Sequence, residues 1–466
     1  MSDYIFLWGN SQSNLTLQAN IVSALRHKDI PWNRIEKMVL VSRNNRIYCF
    51  HSKKSAIHDK ELSRKFFDKK FAEKLFKRMN TDYAKHWKFF DVMWKTDYSR
   101  LSDKDLMKHL TKAIDNWSLI IGYFRATQTT STHYLDEKLK KIFGDKDTSL
   151  LMLSPELDSA NREIISWQNL VKCHYSGKKL LNHARKYPWV VAFHLTYKDV
   201  IDTLRHRFEY DRKNLLWRDV RKEKEELKKK QKQILKNKPH LKPVVDIVQK
   251  LALSRMQIKS CWAGTDFYLM PLINEISKRT GESVQSISKY YLIEEIKMLL
   301  DGRLLSEQEK QNRKLCFVGL LKDGKEIYES GDEAEKLAKK ELKDLYEVKE
   351  TSEIKGDTAN PGNVVGIARI LESNNVEQTR GLRASFKKGE ILITQMTQPS
   401  IMDIAGRASA IVTDEGGMLS HAAIISREFD IPCIVGTHFA TTLIKDGEMI
   451  EVDANKGTVR KIKKIR

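Results

Sequence analysis

Cysteine is scarce in this 466-residue chain: Cys49, Cys173, Cys261, Cys316 and Cys433 are the full set, odd in number, widely spaced and without a C-x-x-C pair. Such a set excludes a disulfide framework and a cysteine-built zinc site, and it fits a reducing, cytoplasmic setting. Long apolar runs are missing too. No stretch approaches the roughly 18 consecutive apolar residues of a membrane helix, so no membrane partner is expected. The opening MSDYIFLWGNSQSN has no basic leader and too short an apolar run for a secretory signal. Acidic residues are also in deficit, 61 against 83 Lys and Arg, for a net charge of +22. Residues 356–466 carry 14 basic and 13 acidic residues, so almost the whole surplus sits in the first 355. A basic surplus suits nucleic acid, an anionic surface or phosphorylated small molecules. Net charge constrains function weakly, and a Lys-rich solvated surface without a polyanion partner is the preferred reading.

Length predicts two to four domains, and 41% hydrophobic with 31% charged residues fits a globular chain. Residues 1–56 read as a small mixed α/β segment: a short strand at Tyr4–Trp8, then Met38–Val41 and Ile47–Phe50 flanking a hairpin turn at Arg43–Arg46. Residues 57–350 read as mainly helical, a substrate- or partner-binding region. Leu62, Phe66, Phe67, Phe71, Leu75 and Met79 recur at helical steps, and Ser102 opens another helix through Phe124. The dense aromatic residues from Trp87 to Tyr134 fall on helical spacing, which predicts core in preference to a ligand pocket. Tyr197–Asn237 is one long charged helical pattern. Its basic arm, 211–243, holds 13 Lys and Arg against 5 Asp and Glu, and it lacks the aromatic or Arg interleaving that nucleic-acid stacking needs. A solvated face is expected there. His174 and His183 lack a paired metal-ligand spacing, so no metal site is assigned. Glu275–Gly281 is a helix stop. A hairpin at 314–328 turns at Lys322–Lys325, and a polar helix at 332–344 acts as connector. The turn-rich 351–363 reads as a hinge, and 364–466 as a compact domain of alternating strands and helices.

The densest signal lies at 408–436, ASAIVTDEGGMLSHAAIISREFDIPCIVG. Ala410–Val412 predicts a buried strand, Gly416-Gly417 a sharp turn, Ser420 an N-cap, Ala422–Phe429 a helix and Cys433–Val435 a second strand. His421 stands where the turn becomes the helix. Free backbone N–H groups and the positive end of the helix dipole favour an anion there. An imidazole so placed is suited to carry a phosphoryl group, with Thr413, Ser420 and the amides of Gly416 and Gly417 as donors and Arg427 as the charge partner if it folds back.

The whole string resembles the phosphohistidine swivelling domain of the phosphoenolpyruvate-utilising enzymes, which include phosphoenolpyruvate synthase, pyruvate phosphate dikinase and rifampicin phosphotransferase. Thr413, Gly416, Gly417, Ser420, His421, Ala423, Arg427, Ile431, Pro432, Val435 and Gly436 all fall on the family pattern. Thr394–Pro399 resembles the family's loop ahead of the phosphohistidine. More loosely, Glu275-Ile276, Glu295-Ile296 and the following hairpin resemble the stretch that precedes this domain in the synthase and in rifampicin phosphotransferase. The resemblance implies that His421 is phosphorylated and carries the group between two sites. It also implies a multidomain α+β fold: a large, mainly helical N-terminal region followed by a C-terminal β/β/α phosphohistidine domain.

Relatives that make phosphohistidine from ATP use an ATP-grasp domain. Residues 57–300 contain no glycine-rich strand–loop pair to cover phosphates, and thirty residues after Gly436 leave no room for a phosphoenolpyruvate barrel. The expectation is a phosphotransferase component without an intrinsic cofactor, served by a separate ATP-grasp protein that handles ATP and Mg²⁺, with a small-molecule acceptor. A non-catalytic docking or regulatory protein that retains the His domain, and a basic nucleic-acid-associated protein, stay open as alternatives.

Overall fold

Two sheets organise the chain, and residues far apart in sequence build the first. The computed structural model describes residues 2–462 except 12, 44–45, 174–175, 193–195, 215–216, 346–350, 352, 373–375, 398–400 and 418–419. Strands β1 (Tyr4–Ser11), β2 (Lys37–Arg43), β3 (Arg46–Ser52), β4 (Cys316–Lys322) and β5 (Lys325–Ser330) form an antiparallel sheet in the order β1-β3-β2-β4-β5. Both predicted hairpins are present, although Asn44 and Asn45 of the first turn lie outside the described residues. Val39 pairs with Leu320 and Leu40 with Gly319. Segment 1–56, expected to stand apart, is therefore continuous with the hairpin at 314–328. The physical reason is that β2 has an apolar edge whose hydrogen-bonding groups only β4 satisfies.

Helix α1 (Asn14–Arg26), capped by Ser13, lies against this sheet. A Cβ at Gly319 would stand 2.5 Å from Leu17 and 2.9 Å from Ile21, so only glycine lets the helix come this close. The helical region follows: α2 (Lys69–Lys95) capped by Asp68, α3 (Asp103–Phe124) capped by Ser102, α4 (Thr129–Met152), α5 (Val220–Leu235) capped by Asp219, and α6 (Lys242–Thr280). α6 is 39 residues long and packs against α2, α3 and α4. Pro243 sits in its first turn, and Gly281 at φ 74° ends it where the sequence signal stood. Most of these aromatic residues are core or pack against it, as expected: Trp94 stacks on Phe267 at 4.4 Å, and Trp117 is buried, whereas Tyr134 lies outside the core clusters and Trp87 also lines a cavity. The long pattern expected over 197–237 divides into Tyr197–Asn214 and α5. The helix at 331–342, here α7 (Gly331–Leu342), is more than a connector. Its Ala334, Ala338 and Leu342 cover Val39, Val41, Val318 and Leu320 on the sheet.

The second sheet contains β6 (Glu353–Lys355), β7 (Asp357–Asn360), β8 (Asn363–Leu371), β9 (Ile391–Thr394), β10 (Ala410–Thr413), β11 (Cys433–Val435), β12 (Met449–Asp453) and β13 (Thr458–Lys461). Its order is β6-β13-β12-β8-β9-β10-β11-β7. β8 to β11 run parallel to their neighbours, and the flanking pairs are antiparallel. Helix α8 (His421–Glu428) makes the crossover from β10 to β11, as the sequence predicts. Residues 353–360, expected within a hinge, pair instead with β13 and β11. Their backbone bonds fasten them to this domain. No helix among the described residues is long and apolar enough to cross a membrane.

Candidate functional site

β10 is buried along its whole length and delivers Asp414, Glu415 and the glycine turn to one end of the sheet. Gly416 adopts φ 122°, and a Cβ there would meet Ser420 at 2.8–2.9 Å. The turn therefore needs glycine for both conformation and space. Ser420 caps α8, its hydroxyl accepting from the amide of Ala423 at 3.2 Å. Thr413 is buried in the turn itself: its hydroxyl donates to the carbonyl of Glu415 at 2.5 Å, and its own carbonyl accepts from Thr437.

His421 opens α8 and is only 2% exposed. Its Nδ1 lies 2.7 Å from the hydroxyl of Thr397, and its Nε2 is buried without a partner among the described residues. Burial, with the nearby positive Lys259 as the second cause, holds the imidazole pKa well below its ordinary value. The ring is neutral at physiological pH. One nitrogen is then held by Thr397 while the other is left open.

The wall facing His421 comes from the helical region. Lys259 of α6 donates to the carbonyl of Thr397 at 2.7 Å. One turn before it, Arg255 is buried, with its guanidinium 4.0 Å from the Phe124 ring and one N–H near the hydroxyl of Thr127. Glu415 is buried between the two regions, and its Oε1 accepts from the amide of Gly9 on β1 at 2.9 Å. Burial pushes the Glu415 carboxyl up and the Lys259 ammonium down, and each charge partly offsets the shift of the other. Burial lowers Arg255 to about 10, with Glu415 opposing the shift. The result is a low-dielectric cleft with cationic groups on one side and an unpartnered imidazole nitrogen on the other.

Further contacts seat the C-terminal domain on the rest. Ile424 joins an apolar cluster with Met256, Leu153 and Ala160. Phe6 meets the His438 ring edge-on at 4.9 Å, and Arg46 pairs with Glu372 and donates to Thr441. Glu428, at the end of α8, takes ion pairs from Arg218 and from Lys224, each at 3.2 Å. Lys224 belongs to the basic arm expected to be a solvated face. Most of α5 is exposed, but this lysine turns inward because a carboxylate awaits it there.

Of the residues singled out in the sequence, His421, Ser420, Gly416, Gly417 and Thr413 share the turn. Arg427 is half-buried and sends Nε to the carbonyl of Ala359 on β7 at 3.0 Å. Six residues past His421, it stands about 120° around α8 from the imidazole. His183 is buried against Glu163 at 2.9 Å, and His174 lies outside the described residues. In the Thr394–Pro399 loop, Thr397 contacts the imidazole, while Gln398 and Pro399 are outside the described residues. Sequence reasoning missed Arg255, Lys259 and Glu415. For Arg255 and Lys259 the signal was charge inside the apolar middle of α6, where LALSRMQIKSCWAG places an arginine and a lysine four residues apart. A cavity of about 750 Å³ lined by Trp87, Asp158, Gln257 and Tyr268 lies on the opposite face of α6 and takes no part in this cleft.

Residues 386–457 match the family described as PEP-utilising enzyme, mobile domain. The chain is 42% identical over 129 residues to a probable phosphoenolpyruvate synthase of Staphylothermus marinus, covering 28% of this chain and 15% of that one. It is 44% identical over 109 residues to the phosphoenolpyruvate synthase of Pyrococcus furiosus, covering 23% and 12%. A probable phosphoenolpyruvate synthase of Methanothermobacter thermautotrophicus matches over 171 residues at 34% identity, covering 35% and 24%. The matched part thus spans at most about a quarter of these relatives' own length.

Proposed function

Starting from a C-terminal mobile domain of the PEP-utilising enzyme family, we propose that the protein is a phosphotransferase component that carries a phosphoryl group on His421 from an ATP-derived donor to an acceptor. The observation that carries this reading is the state of the imidazole. Thr397 holds Nδ1 while Nε2 is buried, neutral and without a partner. With the Nδ1 proton donated to Thr397, Nε2 keeps its lone pair and is the nucleophile. It displaces the leaving group from phosphorus, and the N–P bond stores the phosphoryl for a second transfer. The dianion formed is then met by the start of α8 and, in the seated arrangement, by Lys259 and Arg255. Its charge draws the Lys259 ammonium back to the protonated form.

The seated arrangement corresponds to the acceptor station, with His421 closed against α6. Loading requires the domain to leave this seat, because an imidazole 2% exposed offers no approach to a nucleotide. The donor site belongs, on this reading, to a separate ATP-grasp protein that holds ATP and Mg²⁺. Thr413, Gly416, Gly417 and Ser420 shape the turn that presents His421. The pivot lies before Glu353, since β6 and β7 are part of the moving body.

The test is incubation with the candidate ATP-grasp protein and ATP labelled at the β or the γ position. An acid-labile, alkali-stable label on this chain is expected, absent in His421→Ala. Labelling that persists in that variant overturns the assignment.

A further inference from the structure

The cavity on the face of α6 turned away from His421 has an aromatic interior. At about 750 Å³ it falls within the roughly 300–1,000 Å³ of small-molecule sites. Gly264 lets its aromatic side close on the helix, since a Cβ there would stand 2.7 Å from Pro188 and 3.3 Å from Trp87. Trp87, Trp189 and Tyr268 line that side, the ring centre of Trp87 lying 6.4 Å from that of Trp189 and 6.0 Å from that of Tyr268. Trp189 and Tyr268 are buried, and Ser254 and Gln257 of α6 add hydrogen-bonding groups to the lining. A flat apolar ring system suits this part of the wall.

The exposed part of the wall is cationic. Arg162, Lys186 and Lys250 line it, and among the described residues none of the three forms an ion pair. Lys250 rests over the Phe76 ring at 5.9 Å and Lys186 over the Tyr187 ring at 5.3 Å. Two of the three lining carboxylates are already engaged. Asp91 pairs with Lys95 and Arg185, and Asp158 accepts from the amide of Asn161 at 2.8 Å as the cap of the helix Ser159–Val171. Three cations thus face Glu156 alone, and an anionic group on a ligand would give them charge-assisted bonds stronger than a ring contact.

The segment from Leu153 to Arg162 joins this cavity to the seat of the C-terminal domain. Its Leu157 and Ser159 line the cavity, while its Leu153 and Ala160 pack with Met256 on Ile424 of α8. The carbonyl of Ser154 accepts from Lys224 at 3.1 Å, and the same ammonium pairs with Glu428. Ser159 and Ser260 share a hydrogen bond of 2.6 Å that ties the segment to α6. We propose that the cavity is an effector site for an aromatic carboxylate, and that its occupation favours the seated arrangement. A ligand packed between the aromatic wall and Leu157 holds the segment where it meets α8 and Lys224, so it binds the seated form more tightly. The binding stands on the cavity alone. The coupling rests on the domain leaving its seat, as the proposed function requires.

The experiment titrates the full chain by calorimetry with 2-naphthoate, the neutral 2-naphthamide and the cationic 2-naphthylmethylammonium. One saturable site for 2-naphthoate is expected, with the amide about tenfold weaker and the cation weaker still. Gln257→Trp, which fills the cavity from α6, should abolish binding of all three. Lys186→Gln combined with Lys250→Gln should bring 2-naphthoate down to the level of the amide and leave the amide unchanged. No saturable binding of 2-naphthoate at millimolar concentration, or binding undiminished in Gln257→Trp, overturns the site. Equal affinity for acid and amide in wild type overturns the anion class. Coupling is read by energy transfer between dyes on α5 and β12 in Glu428→Gln, where opening is easier, and 2-naphthoate should raise the seated-to-open ratio there about fivefold. A ratio that salt moves in wild type but that bound 2-naphthoate leaves unchanged overturns the coupling. A ratio that neither salt, Glu428→Gln nor 2-naphthoate moves overturns the swivelling reading, and the coupling with it, while the binding results still stand for the site.

Discussion

Lys259 and His421 are joined through a single residue. The lysine donates to the carbonyl of Thr397 while the hydroxyl of the same threonine holds Nδ1 of the histidine. A cation of the helical region and the imidazole of the C-terminal domain thus share one anchor.

Thr397→Val removes the hydroxyl that selects the tautomer and leaves the carbonyl that Lys259 uses. The rate of His421 phosphorylation should fall by about tenfold, the equivalent of one lost hydrogen bond of about 1.4 kcal/mol. The melting temperature should move little. Rapid-quench labelling set beside a thermal melt tests this, and equal loading rates would remove Thr397 from the mechanism.

Glu428→Gln deletes the charge that Arg218 and Lys224 grip. These three side chains are largely shielded from water, so the pairs exceed ordinary surface pairs in strength. Loss of about 1–2 kcal/mol shifts the seated-to-open ratio about fivefold to thirtyfold toward open. Energy transfer between dyes on α5 and β12 would read the shift. Added salt should open wild type and have a smaller effect on the variant.

Gly416→Ala places a Cβ against Ser420 at a φ that L-residues rarely adopt. The mobile domain should lose about 1–3 kcal/mol, seen as an earlier unfolding transition, and phosphorylation should fall with it. A variant as stable and as readily loaded as wild type would show that the turn tolerates a side chain.

Asp266→Asn should stabilise the protein, and more so as pH rises. Asp266 lies on α6, and burial raises its folded-state carboxyl to about 7 from an ordinary 3.8, so between those values the folded protein binds more protons than the unfolded chain. Stability contributed by this group is present below the unfolded pKa and is lost as pH rises through the folded one. The asparagine variant escapes that loss. Its melting temperature should exceed that of wild type by more at pH 8 than at pH 5, and a constant difference would place the carboxyl in contact with water.

The mobile domain was largely legible because its strands are short apolar runs separated by Gly, Asp and Asn, and because His421 sits in a pattern with many fixed positions. Residues 353–360 misled because two short edge strands pressed between glycines and a proline have the composition of a hinge. The first sheet was half visible. Each hairpin announced itself, but the pairing of Val39 with Leu320 depends on a neighbour some 280 residues away, which no local pattern encodes. The site divided in the same way. His421 was found from its own neighbours, whereas Lys259 and Arg255 gain meaning only from the domain placed against them. For Arg427, spacing says where the residue stands along a helix, and only the structure shows its Nε bonded to the carbonyl of Ala359.

The pairing of β2 with β4 also sets an order of events during synthesis. Until residue 322 has left the ribosome, β2 has an unpaired apolar edge at Val39, Leu40 and Val41, open to any passing strand. Gly9, which serves the cleft, is made before the helical region, yet the sheet that holds it closes only after that entire region has emerged. A polypeptide cut between 56 and 316 would leave sticky halves, while one divided just before Glu353 would leave two closed sheets.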